Sequence, residues 1–192
     1  MTEFIIASGN THKVEELTKL LDSKNIQVKK ITEKVDVLED GSNYQDNSLL
    51  KAEKYYQKFK TPVISDDSGL EVGSLPNELG LHSARFGGEG LSSKERYNLL
   101  LAKLEKIEDR TAYFICTLCF YISPDEIYFF EGRLDGSIAL KADGKDGFGY
   151  DPVFIPAKST DTLANMGEWK EKNSHRAVAA QRAVEFFARS RN

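Results

Sequence analysis

Residues 1–23 read MTEFIIASGNTHKVEELTKLLDS, and this stretch decides how the chain begins to fold. The apolar run at residues 3–7 stops abruptly at Ser8-Gly9-Asn10-Thr11-His12-Lys13. Beyond it Val14, Leu17, Leu20 and Leu21 recur at helical spacing. A buried strand, a short polar loop and an amphipathic helix follow one another. The first N–H groups of such a helix have no partner within it, carry partial positive charge and favour anions. Gly9 permits a tight turn or a close backbone approach. Ser8, Asn10 and Thr11 add hydrogen-bonding groups, and Lys13 adds a full charge. Together they suit a chain of phosphates. The loop is not a Walker loop, because G-x-x-x-x-G-K-[ST] is absent. An ordinary turn with a helix-capping Ser or Thr would use the same residues.

Outward from this unit, strands are predicted at residues 27–31, 61–65, 111–121 and 127–133, with helices at 13–22, 45–59, 92–106 and 175–189. Ser92 and Glu95 form a capping-box pattern ahead of the third helix. Early alternation of strand and helix implies a parallel core, and the two long later strands read as an antiparallel pair. The fold class is therefore α/β, a mixed sheet flanked by helices.

The chain has 192 residues, of which 40% are hydrophobic, enough for one domain, 1–192, with a substantial core. A net charge of -4 argues against a broad nucleic-acid or membrane surface and leaves room for a small anionic substrate. The chain opens as a strand rather than as a leader peptide or membrane span. Cys116 and Cys119 sit in a strand-like run, where residues three apart face opposite sides. They read as separate core thiols in a reducing cytosol, not as a redox or zinc pair.

Three later clusters carry chemistry. VISDDSGLEV places Asp66, Asp67 and Ser68 after an apolar strand, where they fit either an exposed turn or, with Glu39 and Asp40 from the preceding segment, a magnesium site. Magnesium in turn suits a polyphosphate. GKDGFGYDPVF sets Phe148 between Gly147 and Gly149, with Tyr150, Asp151 and Pro152 following. A phenyl ring between glycines is free to lie against a planar ligand, although aromatics in turns also plug cores. Finally Lys170, Lys172, His175 and Arg176 cluster near a helix start, a placement that opposes the helix dipole unless a ligand or anion compensates.

The order of these motifs resembles that of the inosine/xanthosine triphosphate pyrophosphatase family. SGNTHK, LED followed by Lys51, SDDSGL, SARFGG, FGYDPVF and KNSHR run from the first strand to the last helix. The resemblance implies an elongated mixed sheet in two lobes with a central substrate cleft. It also implies magnesium-dependent hydrolysis of ITP, dITP or XTP to the monophosphate and pyrophosphate, in a cytoplasmic homodimer.

By the same resemblance, Ser8, Gly9, Asn10, Thr11, His12 and Lys13 would hold phosphates, with Lys51 beside them. Glu39 and Asp67 would hold the metal. Asp67 would also be the general base, with Asp66 supporting it and Ser68 touching substrate. Phe148, Gly149, Tyr150 and Asp151 would contact base and sugar, and His175 and Arg176 would read the purine 6-oxo edge. In the family two residues usually separate KN from SHR, whereas KNSHR is continuous here. Counting back from the histidine points to Lys170 as the substrate lysine, and the local motif points to Lys172. Arg85 in SARFGG receives no role. A pyrophosphatase for modified pyrimidine nucleotides, or a non-catalytic purine nucleotide binder, are the alternatives. Intact acids at Glu39, Asp66 and Asp67 argue against the second.

Overall fold

The structure is a computed structural model that describes residues 2–21, 26–29, 31 and 33–189. Strand β1 (Thr2–Ala7) leads through the polar loop into α1 (Thr11–Leu21), and β2 (Ile26–Lys29) follows. Helix α2 (Tyr44–Phe59) precedes β3 (Val63–Val72), and α3 (Ser93–Lys103) precedes β4 (Thr111–Ser123) and β5 (Glu126–Ile138). A short β6 (Phe154–Pro156), the small helix α4 (Gly167–Asn173) and α5 (His175–Arg189) complete the chain. The strands form one six-stranded sheet in the order β2-β1-β3-β4-β5-β6. Strand β1 pairs parallel with both β2 and β3, and β5 pairs antiparallel with β6. A two-residue turn at Pro124 and Asp125 joins β4 to β5, which such a turn allows only for antiparallel neighbours. The sheet is mixed, as the sequence predicts.

Most boundaries fall close to the predicted ones, and the capping box of Ser92 with Glu95 is present. Asp22, the end of the first predicted helix, and Lys30, inside the strand predicted at 27–31, lie outside the described residues, and Ile31 falls outside β2. Strand β3 is the main difference. It continues through Asp66 and Asp67 to Val72 instead of ending at residue 65. Aspartate and serine favour turns, but Leu70 and Val72 are buried beyond them, and the buried ladder overrides local preference. Strand β5 likewise runs past Arg133 to Ile138.

Chain contacts group the residues into two compact units, 1–67 with 116–132 and 175–192, and 68–115 with 133–174. In the first unit the period-two alternation of the strands sorts two cores. Phe4, Ile6, Ile64, Cys116, Leu118 and Phe120 meet Leu17 and Leu21 of α1 and Ala179, Ala180 and Ala183 of α5 on one face. Ile5, Ala7, Val63, Cys119 and Tyr121 meet Ala52 and Tyr55 of α2 on the other. The two cysteines are free, buried and on opposite faces, as predicted. The second unit has its own core around Leu70, Leu79, Phe86, Leu100, Tyr150 and Phe154. Among the described residues no helix is long and apolar enough to cross a membrane.

Helix α5 lies hard against β5 at Gly132, where a Cβ would stand 2.0 Å from the carbonyl oxygen of His175 and 2.6 Å from the amide of Ala179. Both neighbours are backbone, so the helix itself would have to retreat. Gly132→Ala is therefore expected to destabilise the protein by roughly 1–3 kcal/mol, the range of overpacked sites. A urea midpoint lowered at unchanged slope would show it, and an unchanged midpoint would contradict the contact.

Candidate active site

The loop after β1 is organised by Asn10. Its side-chain oxygen accepts from the backbone N–H groups of His12 (3.0 Å) and Lys13 (3.4 Å), while its own N–H donates to Ser8 Oγ (3.1 Å). The cap is thus Asn10 rather than a Ser or Thr. Gly9 lies outside the left-handed region, and no atom lies within 4 Å of a Cβ built on it. Neither conformation nor packing calls for glycine there. Gly9, Asn10, Thr11 and His12 are exposed, and Ser8 and Lys13 are half-buried.

Asp66 and Asp67 are neighbours in β3, so their side chains point to opposite faces. Asp66 shares the face of Ile64, where it is 1% exposed. Its Oδ1 accepts from Lys13 Nζ, and its Oδ2 accepts from Arg176 Nε (3.0 Å) and Cys116 Sγ (3.1 Å). Burial pushes the Asp66 carboxyl upward, but Arg176, Lys13 and Lys51 outweigh it and hold the group well below the usual carboxylate range. Burial first, and then the Asp66 charge it donates to, hold the Cys116 thiol well above its ordinary value against the pull of Arg176 and Lys13. Arg176 is 2% exposed and divides its guanidinium between Asp66 and Glu16, with Nη1 2.7 Å from Glu16 Oε2. Burial opposes its charge, and the two acids and Cys116 more than compensate.

Asp67 shares the face of Val63 and Ser65, toward α2. It is buried, and its Oδ2 has no hydrogen-bond partner. Burial is the largest influence on its carboxyl, and with help from the Asp66 and Glu39 charges it raises the group to about 6 against the pull of Lys51 and Lys13. Lys51, on α2, donates to the carbonyl of Asp66 (2.9 Å) and pairs with Glu39 Oε1 (3.1 Å). The segment that carries Glu39 is tied to the same helix. Gly41 donates to Asn47 Oδ1 (2.8 Å), and Asn43 caps α2 by accepting from Asp46 N (2.8 Å). Two carboxylates, one with an orphaned buried oxygen, fit a hard cation. Among the described residues no group of three or more His, Cys, Asp or Glu side chains is gathered to hold a metal.

The second unit holds a separate cluster. Asp151 is 4% exposed and its Oδ2 accepts from Lys170 Nζ (2.7 Å) and from the amide of Phe148 (2.8 Å). The Lys170 ammonium lies 4.8 Å from the centroid of the Phe148 ring. A Cβ on Gly147 (φ +80°) would meet Asp151 Oδ2 at 2.2 Å, so the turn needs glycine there. Tyr150 is the core plug. It is buried in the apolar cluster and its hydroxyl donates to the carbonyl of Ser83 (2.8 Å). Phe148 and Gly149 remain half-buried, as does Ser68 in β3. Lys170 is buried and Lys172 is exposed, because residues two apart on helix α4 face away from each other. His175 is buried at the start of α5.

The structure therefore joins Lys13, Lys51, Glu39, Asp66, Asp67 and Arg176 in the first unit, and Phe148, Asp151 and Lys170 in the second. Glu16 and the thiol of Cys116 belong to the first cluster without any motif having marked them. Glu16 lies one helical turn after Lys13, and that spacing is the only signal the sequence carried for it.

The sequence profile of the Ham1 family matches residues 4–186. A protein named dITP/XTP pyrophosphatase in Porphyromonas gingivalis is 36% identical over 191 residues, spanning 97% of this chain and 98% of its own length. One of the same name in Geobacillus kaustophilus is 40% identical over 185 residues, spanning 93% of this chain and 91% of its own. Among solved structures, the Staphylococcus aureus Ham1 protein superposes with a TM-score of 0.87 at 36% identity, over 98% of this chain and 100% of that one.

The raised Asp67 carboxyl has a measurable consequence for stability. The fold favours its protonated form, so its contribution is complete below the ordinary value of 3.8 and is lost as pH rises through about 6. In buffer containing EDTA, Asp67→Asn should therefore gain on the wild type by roughly 2–3 kcal/mol between pH 4 and pH 7.5. Urea midpoints of both proteins across that range measure the difference, and a gap independent of pH would contradict a desolvated Asp67.

Proposed function

This chain belongs to the Ham1 family, and from that premise we propose that it hydrolyses the non-standard purine nucleoside triphosphates ITP, dITP and XTP to monophosphate and pyrophosphate, with magnesium. One observation carries the chemistry: adjacent carboxylates with opposite fates. Asp66 is fixed as an anion among cations, and Asp67 is poised near neutrality with an oxygen that has no partner. Paired carboxylates pushed apart in this way divide structural and proton-accepting roles. The names of the relatives support the substrate class.

In this scheme the loop at residues 8–13 binds phosphates through helix N–H groups, the hydroxyls of Ser8 and Thr11, and Lys13. Lys51 stands between Glu39 and β3, where it balances phosphate charge. Glu39 and Asp67 would hold the ion, which when bound neutralises phosphate oxygens and lowers the pKa of water. The Asp67 carboxylate would accept the proton of the attacking water. The new bond forms at the α-phosphorus, the bond to its bridging oxygen breaks, and pyrophosphate leaves as the anion. Phe148 offers a ring face for the base. Lys170, a donor only, suits the 6-oxo group of hypoxanthine or xanthine and opposes the 6-amino group of adenine. Arg176 has two of its nitrogens on Asp66 and Glu16, which favours a role behind the acid pair over one at the base edge. Buried free thiols agree with a reducing, cytoplasmic setting. Assembly as a homodimer belongs to the same proposal, and light scattering tests it.

Pyrophosphate release with ITP, dITP, XTP, GTP and ATP is the direct test. Monophosphate and pyrophosphate in equal amounts are expected, and orthophosphate from the purified protein would count against the scheme. Asp67→Asn should lower kcat about 10²–10⁴-fold, the usual cost of losing a general base. A near-normal rate at saturating magnesium would remove Asp67 from that role.

Base choice separates Lys170 from Arg176. Lys170→Met should reduce kcat/KM for ITP by about 10–100-fold more than for ATP, since only ITP loses a paired donor. Arg176→Lys, which keeps the charge but not the fork, should reduce both substrates by the same factor. The reverse pattern would make Arg176 the reader of the base.

A further inference from the structure

Four charged side chains of the first unit form a ring that alternates in sign. Lys13 pairs with Asp66 Oδ1, Asp66 Oδ2 accepts from Arg176 Nε, and Arg176 Nη1 donates to Glu16. The backbone of α1 closes the ring, because Lys13 and Glu16 stand three residues apart and face the same side. Three separate elements are joined: α1 through Lys13 and Glu16, β3 through Asp66, and α5 through Arg176. The Asp66 and Arg176 side chains are 0% and 2% exposed, so neither can substitute water for a lost partner. Glu16 is 27% exposed and is the ring's rim member.

We propose that Glu16 is a positioning residue for the phosphate end of the site, acting through Arg176 and Asp66 to set the place of the Lys13 ammonium. The assignment rests on the phosphate role given above to the loop at residues 8–13. Its physical basis is a shared charge. The Arg176 guanidinium is divided between two acids. With Glu16 neutral, more of that charge falls on Asp66, which then holds Lys13 less firmly. The start of α1 also loses its tie to α5, and Lys13 no longer meets a phosphate oxygen from a fixed point.

The isosteric variant Glu16→Gln keeps the shape of the ring and removes one charge. It should raise KM for ITP about tenfold, the scale of one charge-assisted hydrogen bond, with kcat changed by less than about threefold. Lys13→Met alone should raise KM by at least as much. In the double variant the Glu16→Gln step should add nothing, because the two residues act as one unit. A purely structural Glu16 would instead multiply the Lys13→Met effect. Calorimetric binding of inorganic tripolyphosphate to the same four proteins gives a readout that needs no turnover, and the same coupling is expected there. If the wild type released no pyrophosphate, the proposed reaction would fail while the binding cycle still judged Glu16. Independent, multiplying effects on tripolyphosphate affinity, or an unchanged affinity in Glu16→Gln, would overturn the assignment.

Discussion

The candidate site depends on one constraint: two adjacent aspartates in a buried strand cannot point the same way. Had β3 ended at residue 65, Asp66 and Asp67 would share a turn and the same solvent. Because the strand continues to Val72, each acid enters a different environment. Asp66 goes to the face of α1 and α5, where Lys13 and Arg176 wait. Asp67 goes to the face of α2, where Lys51 and Glu39 stand. Burial works on both carboxyls in the same direction. Their charged neighbours separate them: cations prevail around Asp66 and hold it well below the usual carboxylate range, while at Asp67 the Asp66 and Glu39 charges add to burial and leave it poised near 6.

The helices are arranged to serve this division. Lys13 lies on the first turn of α1, Lys51 in the second turn of α2, and Arg176 on the first turn of α5. Arg176 at a helix start opposes the dipole. Its two carboxylate partners supply what the dipole withholds, so the cost of the placement is met inside the cluster. The close seat of α5 on Gly132 puts residues 175 and 176 at this depth. The small side chains of Ala179, Ala180 and Ala183 extend the same close packing along the helix.

How much of this was legible depends on which physical effect governs each residue. The strand-loop-helix opening, the capping box and the opposed cysteines follow from period and local hydrogen bonding, and sequence carries both. The continuation of β3 does not, because Asp-Asp-Ser reads as a turn until Leu70 and Val72 find a core. The two lysines before α5 could not be told apart by counting, since the short helix α4 turns Lys170 inward and Lys172 out. Phe148 and Tyr150 look equivalent in FGYD, yet the tyrosine hydroxyl has the Ser83 carbonyl to reach and the phenyl ring has the Lys170 ammonium. The Cys116 hydrogen bond spans 50 positions of sequence and the Glu16 contact spans 160, distances at which local pattern is silent. The six-stranded order is of the same kind.

The loop after β1 shows how such a site is kept stable before it is used. Its two leading N–H groups, on His12 and Lys13, already have an acceptor in Asn10 Oδ1. The Lys13 ammonium already has Asp66. A phosphate oxygen would therefore replace a neutral amide oxygen at the N–H groups, and charge-assisted bonds are about twice as strong as neutral ones. It would share Lys13 rather than free it. The His12 and Lys13 amides and the Lys13 ammonium therefore have partners before any ligand arrives, and in the proposed scheme selectivity for an anion would come from the difference between the two acceptors. Gly9 completes the arrangement. With nothing within 4 Å of where its Cβ would be, it would leave a phosphate, in the proposed scheme, room to reach the amides that Asn10 would have to release.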